Sequence, residues 1–226
     1  MLRDIDVATG QMFRDIGMPE IAEYDPWPLP DLEHARAAGL LWVIPGKAGQ
    51  PVAFLIRSMV DGCLHIDQLS VDPGSARRGL GRALLEHAAR RAAADGVPAL
   101  TLTTFAHVPW NAPYYARLGF RILDDADVTP GLRVIRQREA EMGLDRWPRV
   151  CMRRAWQATT RRRPGTNARG ARRPVTSPRI SGDARDVPHE HAPRLTPSGG
   201  RWRPPAAGHV SARGAPGPGR SRAGRR

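Results

Sequence analysis

Residues 69 to 93 read LSVDPGSARRGLGRALLEHAARRAA, and residue types in this order suit the binding of a phosphate. A short strand meets a Pro-Gly corner, then Arg77 and Arg78, a Gly-Leu-Gly step at Gly79, Leu80 and Gly81, and an alanine-rich helix. The first N–H groups of a helix have no partners inside it, and the helix dipole adds positive charge at that end. Gly79 and Gly81 let an anion approach the backbone without a Cβ in the way, and Arg77, Arg78 and Arg82 add charge beside it. A pyrophosphate fits such a loop. A tight turn at Gly79 with arginines on a solvated face fits the segment equally well.

Two common phosphate motifs fail. A dinucleotide fingerprint needs glycine at the sixth position from Gly79, where Leu84 stands, and a P-loop needs a lysine, of which the chain has only Lys47. The strand ahead of the loop weighs the reading toward a ligand. In Cys63 to Val71 the apolar side chains fall on Leu64 and Ile66, then on Leu69 and Val71. Strand side chains alternate strictly, so the slip at Asp67-Gln68 implies one extra residue, a β-bulge.

These residues must be carried by a larger frame. Leu2, Ile5, Ala8, Met12, Phe13 and Ile16 predict an amphipathic helix ending near Gly17, and a second runs from Asp31 to Gly39. Leu40 to Ile44, Val52 to Val60 and Cys63 to Val71 read as an antiparallel meander, with Asp61-Gly62 as the second turn. A helix from Leu80 to Ala94, a strand from Ala99 to Phe105, a short helix from Ala112 to Leu118 and a strand from Phe120 to Leu123 follow. Thr129-Pro130 opens a further helix that Gly143 stops, and Arg149 to Trp156 is a last strand. The fold class expected is α/β of the α+β type: a mixed, mostly antiparallel sheet with helices on both faces.

The formal charge of +13 lies entirely in residues 157–226, which hold 16 Arg, 3 acids, 10 Pro and 10 Gly, while residues 1–156 are formally neutral. So few large apolar residues cannot offset the entropy of ordering, which predicts one domain over 1–156 and a disordered tail over 157–226. Two cysteines make neither a disulfide framework nor a zinc site. With no apolar leader or span, a cytoplasmic location without membrane association is expected, and no metal.

A bulged strand, R-R-G-x-G, a long helix, a strand and then NAPYYARLGF together resemble the GNAT superfamily of N-acetyltransferases, over roughly Met1 to Arg154. The resemblance implies acetyl-CoA as co-substrate and acetyl transfer to a primary amine by direct attack in a ternary complex. It implies that the loop from Arg77 to Arg82, through Arg78, Gly79, Leu80 and Gly81, holds the pyrophosphate by backbone N–H groups. The bulged strand would open a V-shaped gap for the pantetheine arm, with a backbone N–H near Leu69 or Val71 on the thioester oxygen. Tyr115, four residues before Gly119-Phe120, would protonate the departing thiolate, and Asn111 would contact the cofactor. Ala76 stands at the first position of the family's [QR]-x-x-G-x-[GA] pattern, so a side-chain contact is lost there. The family usually opens with a strand ahead of the first helix. Here that strand is either absent or lies upstream, which weakens one sheet edge.

An alkyl amine with a pKa near 10 must lose a proton before it attacks. Asp67, in the bulge, is the first candidate base and His65 the second; an edge-strand charge and a satisfied histidine are the plainer accounts of each. Tyr114 and Tyr115 are adjacent on a short helix, so only one is expected to face the cleft. His107 and Trp110 could line the acceptor pocket, and Glu20, Glu23 and Asp25 could form an acidic rim for a cationic amine. The acceptor, small molecule or peptide, stays open, as does a homodimer. Two rivals are a non-catalytic acetyl-CoA sensor or scaffold and a nucleic-acid binder driven non-specifically by the tail, although Trp202 alone makes no stacking platform. A shifted reading frame would also give such a tail. Truncation after Trp156 is expected to leave acetyl-CoA affinity unchanged by calorimetry, and a loss of affinity would make the tail part of the cofactor site.

Overall fold

The computed structural model describes residues 1–156 and 178–182. Among them the helices are α1 (Leu2–Gln11), α2 (Pro19–Ala22), α3 (Leu29–Ala37), α4 (Leu80–Ala94), α5 (Ala112–Arg117) and α6 (Pro130–Glu141). The strands are β1 (Leu41–Pro45), β2 (Pro51–Val60), β3 (Cys63–Val71), β4 (Ala99–Phe105), β5 (Arg121–Ile122) and β6 (Arg149–Ala155), in the sheet order β1-β2-β3-β4-β6-β5. Every pairing is antiparallel except β3 with β4. The fold is the expected mixed sheet with helices on both faces. No described helix is long and apolar enough to cross a membrane.

Alternation assigns each strand residue to a face. Trp42, Ile44, Ala53, Leu55, Leu64, Ile66, Leu100, Leu102 and Met152 pack under α4, through Leu84, Leu85, Ala88 and Ala92, and against Ala112 and Phe120. Leu41, Phe54 and Ile56 point the other way, onto Ile5 of α1 and Leu32 and Ala35 of α3. Leu132 of α6 covers Leu123 and Cys151 on that second face. With both faces covered, β2 reads as an unbroken apolar run rather than an alternating one. Asp61 and Gly62 have φ of 48° and 75°, the paired positive values that a two-residue hairpin turn requires, which fixes the β2–β3 register.

That register carries the bulge. Ile56 pairs with Gln68 and Arg57 with Ile66, so Asp67 has no partner on β2. Beyond it β3 stays on β2 as far as Val71, opposite Ala53, but it shares only two positions with β4, Leu64 with Leu100 and His65 with Thr101. β4 is meanwhile held on its other side by seven pairs with β6. The parallel strands therefore splay from His65–Thr101 outward.

Three sequence expectations shift. The first helix ends at Gln11, and a 3-10 turn (Arg14–Ile16) closes at Gly17 with φ 78°, so that Phe13 and Met18 pack with Phe105 and Val108 as a separate cluster. The second helix begins at Leu29 rather than after Asp31, because Pro30 sits in a first turn where its missing N–H costs nothing. Most of 157–226 lies outside the described residues. Residues 178–182 depart from the disorder expected of that segment: Ser181 bridges Val43, and Ile180 packs on the α4 side of the core.

One ionic cluster locks α6 to the sheet. Arg149 donates to Glu139 through Nη2 at 2.6 Å and Nε at 3.0 Å, Arg136 Nη1 donates to the same carboxylate at 2.5 Å, and so does Thr103 Oγ1. Burial alone would raise the Glu139 carboxyl, but the Arg149 guanidinium and these hydrogen bonds outweigh it and hold it below the usual carboxylate range. Glu139→Ala strands the Arg149 side chain, only 8% exposed, without its counter-charge. The expected cost is about 3–5 kcal/mol in urea unfolding at pH 7. A depressed folded pKa adds stability above the unfolded value, near 4.3, that is lost as pH falls through the folded value. The variant's deficit should therefore shrink below pH 4.

Candidate active site

Between the splayed ends of β3 and β4 lies a cleft of about 370 Å³, floored by the strands and walled by α1, the segment before α3, and α5. Asp67, Leu69, Asn111 and Tyr115 all line it. The Asp72 N–H donates to Val52 O of β2 at 2.9 Å. In an antiparallel ladder every second residue faces the partner, so Gln68 and Ser70 also face β2, while the N–H groups of Leu69 and Val71 face the gap that β4 has left. An amide-bearing arm laid in the gap would find strand-like partners there.

The loop from Arg77 to Arg82 continues from this edge. Arg77 has φ 58° and Gly79 φ 77°, whereas Arg78 is not in the positive region. Alternating signs of φ at successive residues turn backbone N–H groups toward one side, a concavity that takes an anion. A left-handed arginine costs of order 1–3 kcal/mol, strain kept where the surroundings or a function demand it. Gly79 caps α4 with no side-chain hydrogen bond, and the helix ladder starts with Ala83 N–H to Gly79 O at 2.9 Å, so Leu80, Gly81 and Arg82 carry N–H groups with no partner in the helix. Arg77, Arg78 and Arg82 are exposed around this end.

Gly81 has a different reason for its size than open approach to the backbone. A Cβ there would sit 2.9 Å from Tyr114 Oη and 3.7 Å from Leu69 Cδ2. The missing side chain lets α5 close on α4 and brings the Tyr114 hydroxyl to the anion loop. Tyr114 and Tyr115 both line the cleft, contrary to the expectation that only one would, because they sit where α5 crosses its mouth. Their rings meet edge to face at 5.5 Å, and Tyr115 packs on Phe120 at 5.7 Å. Burial raises both phenols above the ordinary value, Tyr115 strongly; for Tyr114 the Arg82 and Arg117 charges oppose the rise. Tyr115 therefore holds its proton at neutral pH.

Asp67 projects into the cleft with Ser58 Oγ donating to its Oδ1 at 3.0 Å. Enclosure by the cleft walls pushes its carboxyl up to about 7, against the Ser58 hydrogen bond and one from its own N–H. The residue is still reached by solvent, so the full shift belongs to a cleft whose water has been displaced. His65 is otherwise placed. It is 2% exposed, its Nδ1 lies 3.0 Å from Thr101 Oγ1, and burial lowers its pKa to about 4. It bolts β3 to β4 at the apex of the splay.

Several cleft residues carry no local signal in the sequence. Asp6 of α1 accepts from Gln68 Nε2 at 2.8 Å, Ser70 Oγ at 3.3 Å and the Trp27 N–H at 3.2 Å, and burial raises its carboxyl. Asp25, expected in an acidic rim, lines the cleft, and Asp31, Tyr24 and Trp27 complete an acidic, aromatic wall with it. Trp110 also lines the cleft, stacked edge to face on Phe13 at 5.5 Å, whereas Glu20 is paired with Arg146 at 2.6 Å. No group of three or more His, Cys, Asp or Glu among the described residues is arranged to hold a metal.

Residues 8–120 match the model of the acetyltransferase (GNAT) family. Over 88 residues the chain is 32% identical to the peptidyl-lysine N-acetyltransferase YjaB of Escherichia coli (strain K12), covering 39% of this chain and 54% of that protein, so it spans about half the length of this curated relative. Among solved structures, a GNAT-family acetyltransferase from Staphylococcus aureus Mu50 aligns at a TM-score of 0.49 and 13% identity, over 68% of this chain and 90% of that one. The N-acetylglutamate synthase from Neisseria gonorrhoeae aligns at 0.48 and 16%, over 67% and 32%. The family match takes in half of the sequence, from α1 through the anion loop to the end of α5, and the chain belongs to the acetyltransferase (GNAT) family.

Proposed function

We propose that the domain moves an acetyl group from acetyl-CoA to a primary amine by direct attack in a ternary complex. The observation that carries this reading is the parting of β3 from β4 at the Asp67 bulge, which turns strand N–H groups toward a cleft beside the loop from Arg77 to Arg82. In this reading the backbone from Arg77 to Arg82 grips the pyrophosphate, and Asn111 contacts the cofactor at the mouth of α5. The N–H groups of Leu69 and Val71 pair with the pantetheine arm and polarise the thioester carbonyl. Asp67 accepts a proton from the ammonium, directly or through water. As the amine nitrogen bonds the acetyl carbon and the carbon–sulfur bond breaks, Tyr115 donates its proton to the sulfur, and the proton that the nitrogen sheds on becoming an amide returns to the phenolate through water.

The acidic wall of Asp6, Asp25 and Asp31, with Tyr24 and Trp27, suits a cationic acceptor. A lysine-like side chain, the acceptor named for the Escherichia coli relative, is one such amine. A reducing, cytoplasmic setting agrees with Cys63 and Cys151 being free thiols.

Acetyl-CoA should bind the full chain in calorimetry. Gly79→Asp should weaken binding at least tenfold: the Cβ position at Gly79 has nothing within 4 Å, Asp tolerates a left-handed φ and caps helices well, so the loop survives while its cradle gains a negative charge. Release of CoA thiol should be faster with a diamine than with a zwitterionic amino acid, and Tyr115→Phe should slow it without changing acetyl-CoA affinity. Binding without turnover on any amine would leave a sensor rather than an enzyme.

A base must be deprotonated to act, so kcat, with both substrates saturating, should rise through pH 7 along a one-proton limb set by Asp67. Asp67→Asn should abolish that limb and lower the plateau by about 10²-fold or more. A limb that persists in the variant would assign the base elsewhere.

A further inference from the structure

β1 is an edge strand, paired with β2 on one side only. Its other edge meets the C-terminal part of the chain. The Val43 N–H donates to Ser181 O at 3.0 Å and the Ser181 N–H donates to Val43 O at 2.8 Å, the reciprocal pair of an antiparallel ladder. The residues on either side of Ser181 fit the place in different ways. Ile180 sets an apolar side chain against the core cluster under α4. Gly182 has φ 116°, and a Cβ there would lie 2.4 Å from Leu41 O and 3.1 Å from Trp42 Cδ1, so a glycine is required where the segment leaves the edge. An apolar anchor, a two-bond backbone pair and an obligatory glycine in succession are the marks of a strand addition.

We infer that residues 178–182 are a strand that this chain adds to its own open edge, and that this segment is the edge's resident occupant in place of a second copy. The tether allows it. The 21 residues between Trp156 and Pro178 can span up to about 70 Å at ~3.3 Å per residue, while β6 and β1 are four strand spacings, about 20 Å, apart. An edge covered in this way offers no template for pairing with another molecule. Val43 lies two strands from the splay, so the addition is separate from the acetyl-transfer reading and leaves the cofactor cleft open.

Residue-resolved hydrogen exchange on the full chain tests it, with Ser181→Pro, which removes the donated N–H, and Gly182→Val, which places side-chain atoms against Leu41 O. The Val43 amide should be protected in the parent chain and exchange at least tenfold faster in each variant, while Trp42 and Ile44, which face β2, keep their protection. Equal exchange of Val43 in parent and variants would overturn the assignment. So would protection that rises with protein concentration and survives both substitutions, since it would give the edge to a second copy.

Discussion

The extra residue at Asp67 commits β3 to β2 and takes it away from β4. Backbone N–H groups buried in a sheet must find partners, so a parting of two central strands is stable only where water or a ligand takes their place. The splay at once creates the cleft, supplies it with donors from Leu69 and Val71, and brings a carboxylate to its wall. The His65–Thr101 contact and the full β4–β6 ladder keep the parting local, since each strand is anchored where the other is not.

Electrostatics then sets a basic loop beside a cleft with an acidic wall. The loop from Arg77 to Arg82 is positive through N–H groups unpaired within the helix and three exposed arginines. The cleft wall is acidic, but Glu139, its most buried carboxylate neighbour, is neutralised by Arg149 and Arg136 and serves packing. Asp6 is spent on Gln68, Ser70 and the Trp27 amide, which holds α1 against the bulged strand. Asp67 has a single side-chain partner, Ser58, and enclosure raises its carboxyl to about 7.

What could be read from the sequence was whatever is encoded within a few residues. The bulge showed itself as a phase slip between Ile66 and Leu69, the hairpin as Asp61-Gly62, and the loop as glycines and arginines at a helix start. What stayed hidden depends on chain-distant packing. Nothing near Asp6 announces that it meets Gln68 and Ser70 across the α1–β3 contact, and Glu139 reads as a surface helix residue until Arg149 is placed beside it. Tyr114 was misjudged because adjacency on a helix separates side chains by about 100°, yet a cleft that wraps a short helix can receive both. Ile180 and Gly182 were lost in the composition of their surroundings, where one apolar residue among prolines and arginines carries no periodic signal.

The narrow seam between β3 and β4 also bears on how the chain assembles. β1, β2 and β3 are consecutive in sequence and paired as a meander, and β4, β5 and β6 form a second consecutive set. The first set is closed by short turns and the second only across the segments that carry α5 and α6; the two are joined at two registered positions and by α4 lying across both. Loop-closure entropy is modest within the meander and falls mainly on the β4–β6 ladder, whose partners lie 44 to 56 residues apart, and on the joining pairs, 36 apart. The meander can organise its own strands first, while the β4–β6 pairing and the docking of the two sets, with the burial of Leu64, Leu100 and the α4 leucines, are the non-local events that complete the sheet.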